Sequence, residues 1–173
     1  MQINSFICGL FFASGMSALV YQVVWLRMLS RITGVTMHAT AIVVAAFMAG
    51  LALGSFLSGR FIDRRNDPLR IYAALEFLVA VTVLLVPYSF SASIPLFSHI
   101  YQAVDENATI TALGTGIVSL LTLLVPTAIM GATLPVLMSY LVRKNVSFGK
   151  SLSVLYGINT LGAVMGIGLA TFF

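Results

Sequence analysis

The amino-acid sequence predicts an all-α integral membrane protein, and three observations carry that expectation. Hydrophobic residues make up 60% of the chain and charged residues 8%, with a mean hydropathy of +1.04. Soluble domains carry roughly 25% charged residues, so this chain cannot present a water-compatible surface. Five apolar stretches reach the ~20 residues that a bilayer-spanning helix needs. Apart from Glu76, the charges fall between these stretches or at their edges, where a membrane protein meets water. The 173 residues are read as a single transmembrane domain, 1–173, with no room for a sizeable soluble one. A net charge of +4 reflects Lys and Arg kept on one side of a bilayer and does not point to nucleic acid.

The first span is expected at about residues 5–26. Met1 to Ser5 lacks Lys and Arg, so this is read as a retained span and not a secretory signal. Its lone cysteine, Cys8, excludes an internal disulfide. The second span, about 37–58, carries Ala46, Gly50, Gly54 and Ser58 at every fourth position. Residues four apart share one helix face, and a face of small residues lets another backbone approach closely. The third span is expected at about 69–90 and the fourth at about 111–141. Pro126 and Pro135 lie inside the fourth. Each leaves a carbonyl one turn earlier without its donor, which Thr127 and Thr133 are placed to help satisfy. The fifth span, about 151–173, repeats the small-residue device with Gly162, Gly166 and Ala170.

The segments between the spans set the orientation. Arg60, Arg64, Arg65 and Arg70 follow the second span, and Arg143, Lys144 and Lys150 follow the fourth. Those seven of the nine cationic residues place the amino terminus in the cytoplasm by the positive-inside rule. Between the third and fourth spans, Ile94, Phe97, Tyr101 and Val104 recur at helical spacing. They predict a short separate helix over about 93–106, lying on the outer membrane surface.

Four intramembrane polar residues are candidate sites: Gln22, Glu76, Asn159 and Thr160. Tyr21, Trp25 and Arg27 beside Gln22 read as an interfacial belt, with Gln22 a turn deeper among other helices. Glu76 is the one acid inside a span. Such a carboxylate either anchors its helix end by pairing with Arg60 or Arg70, or binds a cation or proton; the anchoring role is expected, because Glu76 lies near the interface. Asn159 and Thr160 are expected to hydrogen-bond within or between helices. Arg60, Asp63, Arg64 and Arg65 form a charged cytoplasmic turn. His38 and His99 are isolated and lack metal-ligand spacing. No catalytic residue, metal or cofactor is expected.

The run from Ala13 to Arg27 resembles the opening of the bacterial membrane-fused spermidine synthase-like proteins. So do Ala46 to Gly54, Gly59-Arg60 and Asp63-Arg64, then Pro126-Thr127 with Met130 to Pro135, and finally Leu155 to Ala163. That family's membrane part is in turn similar to one half of a major facilitator transporter. The resemblance implies a helical membrane module ordinarily followed by more helices and a synthase-like domain that binds decarboxylated adenosylmethionine and a polyamine. No counterpart of that domain's residues is present in these 173. The expectation is therefore a module that is not an enzyme, meeting the lipid bilayer and either other membrane subunits or its own copies through its small-residue faces. The alternative is a half-transporter that moves polyamines or other small cations after oligomerisation. The location expected is the bacterial inner membrane.

Overall fold

The computed structural model describes residues 5–62, 67–103, 108–144 and 146–172, and is helical nearly throughout. Its elements are α1 (Ser5–Thr33), α2 (Thr36–Ile62), α3 (Pro68–Ala103), α4 (Ala108–Arg143) and α5 (Phe148–Phe172). All five are long and apolar enough to cross a bilayer. Each span expected from sequence lies within one of them, apart from residue 173, which is outside the described residues.

The turn between α1 and α2 is tight because Gly34 takes a positive φ of 70°. Its amide donates to the Ser30 carbonyl at 3.0 Å, the usual way a helix ends on a left-handed glycine. Two helix pairs then dominate the packing, α2 on α4 and α1 on α5, and α3 lies along α4.

Small residues bring each pair together. A Cβ added to Gly50 would strike Thr127, and one added to Gly54 would strike the Ala128 backbone. From the other side, Gly131 of α4 is pressed against the Leu51 backbone. Gly162 and Gly166 of α5 meet the Phe12 and Met16 carbonyls of α1. The faces expected to meet partner chains are thus used inside this one. Ala46 also belongs to the α2–α4 seam, where its carbonyl accepts from Thr127 at 3.2 Å. Ser58 is half-buried and donates to the Ser55 carbonyl in its own helix at 3.3 Å.

Polar groups stitch the same seams. Ser55 Oγ donates to the Gly131 carbonyl at 2.9 Å. That carbonyl lies four residues before Pro135, whose missing N–H leaves it without the ordinary helical donor. Thr133, expected in this role, donates instead to the Met130 carbonyl at 2.7 Å. Thr127 Oγ lies 2.7 Å from the Leu123 carbonyl, whereas the carbonyl freed by Pro126 is that of Thr122. On the other seam, Asn159 Nδ2 donates to the Phe11 carbonyl at 3.1 Å and Arg27 to the Ala170 carbonyl at 2.6 Å.

Trp25 departs from the interfacial position expected of it. It is 1% exposed and stacks on Tyr21, with ring centroids 6.2 Å apart. Phe47 of α2 covers it at 5.9 Å. The reason is that α1 continues two turns beyond Trp25, so the ring lies inside the bundle and not at its rim. Trp25, Leu29, Val43, Val83, Phe90 and Leu123 form one core. A second, towards the opposite end, gathers Phe11, Ile62, Tyr72, Leu137, Leu141 and Leu155.

The separate surface helix is also corrected. Residues 93–103 continue α3 without a break, through Pro87 and Pro95. Proline costs one helical hydrogen bond, but packing repays it here. Phe97 is buried, and Ile100 packs against Gly114 of α4. The helical periodicity of that stretch was real, but it continues α3: Phe97 and Ile100 turn inward, while Ile94 and Tyr101 stay exposed. Residues 104–106 of the expected helix lie outside the described residues.

Candidate binding cavity

A cavity of about 590 Å³ is bounded by segments of all five helices. Its walls are mainly apolar, including Phe11, Phe47, Leu51 and Val79. Three of the four candidate polar residues line it: Gln22 from α1, Glu76 from α3 and Asn159 from α5. Thr160 does not. It is exposed on α5 and donates to the Tyr156 carbonyl of its own helix at 2.8 Å.

Glu76 is half-buried, and its Oε1 accepts from Ser14 of α1 at 3.1 Å. The Tyr72 hydroxyl comes up to the same carboxylate from one turn earlier on α3. No hydrogen bond of good geometry is completed there, and that hydroxyl is buried without a partner. Among the described residues no ion pair reaches Glu76. Arg70 pairs instead with Asp67 at 3.5 Å, and Arg60 is exposed at the end of α2. The anchoring pair expected for Glu76 is therefore absent among these groups. Helical geometry gives the reason. Six residues at 100° each turn Arg70 well away from the face that carries Glu76. Four residues keep Tyr72 on that face.

Ser14 and Tyr72 were not singled out from the sequence. Tyr72 carried a signal, since it lies four positions from the one intramembrane acid. Ser14 carried none, because its partner lies 62 residues away. Asp63, Arg64 and Arg65 of the charged turn lie outside the described residues. Among the described residues, no group of three or more His, Cys, Asp or Glu is placed to hold a metal ion.

The chain is 28% identical over 157 residues to polyamine aminopropyltransferases from two strains of Mycobacterium tuberculosis and from Mycobacterium bovis. The match covers 88% of this chain and 27% of each relative. The chain thus spans about a quarter of the length of the curated relatives it matches. No family model and no solved structure matches the chain. The expectation of a module that is not an enzyme is overturned here, because the relatives are named for an enzymatic activity. It had rested on residues absent from the sequence, which says nothing about what the relatives do.

Proposed function

We propose that this chain is the membrane-embedded helical module of a polyamine aminopropyltransferase-like protein, related to the membrane-fused spermidine synthase-like family. One observation carries the reading: a match over 88% of the chain necessarily runs through the apolar helices, so the likeness is in the membrane-spanning part itself. The module lies in the bacterial inner membrane with its amino terminus in the cytoplasm, an orientation that the Lys and Arg distribution supports. There it holds the aminopropyl-transfer machinery at the bilayer.

The test is to purify the protein from membranes of the cells that make it, determine the intact mass of the assembly, and assay it. Transfer of an aminopropyl group from decarboxylated adenosylmethionine to a diamine is the expected result. An assembly of known composition with no such transfer would overturn the reading.

A further inference from the structure

We propose that the cavity around Glu76 binds a primary alkylammonium, with the charged nitrogen on the Glu76 carboxylate and the alkyl stem along the apolar walls. The inference stands on the geometry and not on the aminopropyltransferase reading.

A carboxylate among membrane-spanning helices is expensive and calls for a partner. Glu76 receives one neutral hydrogen bond, from Ser14. Among the described residues no cation of the protein neutralises it. Beside it, the 4%-exposed Tyr72 carries a hydroxyl with no hydrogen-bond partner. Buried polar groups are normally satisfied, so an orphan lining the same cavity as an unpaired acid marks a place for a further group. The volume, about 590 Å³, falls within the roughly 300–1,000 Å³ of small-molecule sites.

The chemistry selects the ligand class. An anion would meet the Glu76 charge. A divalent metal favours several charged or imidazole ligands, and no group of three or more His, Cys, Asp or Glu is gathered among the described residues. A primary ammonium offers three N–H donors and no acceptor. The Glu76 carboxylate takes one, with the Tyr72 and Ser14 oxygens as further acceptors. Ser14 keeps a lone pair free while its own proton goes to Glu76. A quaternary ammonium brings the charge but leaves those oxygens without hydrogens. The apolar lining then suits a methylene chain. One end of a polyamine belongs to this class.

The experiment is a binding titration by calorimetry on the full chain in lipid nanodiscs at neutral pH. The probes are hexylamine, hexan-1-ol and tetramethylammonium. Hexylamine should bind saturably and at least tenfold more tightly than the alcohol or the quaternary ion. Glu76→Gln should weaken it at least tenfold, and Tyr72→Phe a few-fold. Equal binding of hexylamine and hexan-1-ol, or of hexylamine and tetramethylammonium, would overturn the proposal, as would an unchanged affinity in folded Glu76→Gln. Should Glu76→Gln fail to fold, Glu76→Asp decides: it keeps the charge but draws it back by one methylene. A hexylamine affinity that Glu76→Asp leaves unmoved counts against the site, and a few-fold loss supports it. None of these outcomes bears on aminopropyl transfer by the assembly, so the two readings fail separately.

Discussion

Gly54 is placed where a methyl group has no room, because the atoms it would strike are backbone atoms of Ala128 that cannot rotate aside. Overpacking of this kind typically costs about 1–3 kcal/mol. Gly54→Leu should therefore lower the thermal unfolding midpoint in detergent. Gly59, five residues on, has open space around it, and Gly59→Ala should hold or raise the midpoint, since Ala favours a helix over Gly by up to about 1 kcal/mol. Equal behaviour of the two variants would refute close contact between α2 and α4. Trp25 is the other residue whose position matters. It is the single tryptophan of the chain and 1% exposed, so its fluorescence should resist quenching by aqueous acrylamide. A ring at the headgroup level, as the sequence suggested, would be quenched readily.

The helices hold one another through polar contacts as well as shape. Pro135 frees a carbonyl at Gly131, and Ser55 of the neighbouring helix takes it. In lipid, water cannot substitute for that donor. Ser55→Ala should therefore destabilise the α2–α4 pair by about 1 kcal/mol, in line with interhelical hydrogen bonds in membranes. The check is unfolding in mixed micelles, with Ser153→Ala as control. Ser153 is exposed and bonds only within α5 among the described residues. An equal loss from both substitutions would show that the effect is helix propensity. Reading the sequence identified the proline problem and missed its solution. Thr127 and Thr133 were the near candidates, but the donor came from 76 residues away.

Across the whole molecule, α3 and α4 each run 36 residues, about 54 Å at the α-helical rise. A bilayer core is about 30 Å thick, so this hairpin tilts or reaches beyond the membrane. The positive-inside rule leads to the proposed side of each loop, with the amino terminus in the cytoplasm. A cysteine placed at Thr36 and one placed at Lys150, both exposed, should label from opposite faces of intact cells or sealed vesicles. Labelling of both from one face would overturn the topology and the cytoplasmic amino terminus with it.

Composition and the run of apolar residues were enough to predict an all-helical chain with five helices long and apolar enough to cross a membrane. Those are properties of each stretch against lipid, readable without neighbours. Helix ends were less legible. Pro95 and the apolar residues around it suggest a new helix until α4 is seen beside them. Which small faces meet which helices, and the burial of Trp25, also depend on packing between distant segments. The candidate cavity was half legible. Gln22, Glu76 and Asn159 stand out as polar residues in apolar runs, but nothing in the spacing of residues on α1, α3 and α5 says that they surround one space. Ser14 on Glu76, and the lack of an ion pair there among the described residues, were decided by the angle at which three helices pack. That angle is a sum of side-chain contacts along the whole bundle, and no single segment contains it.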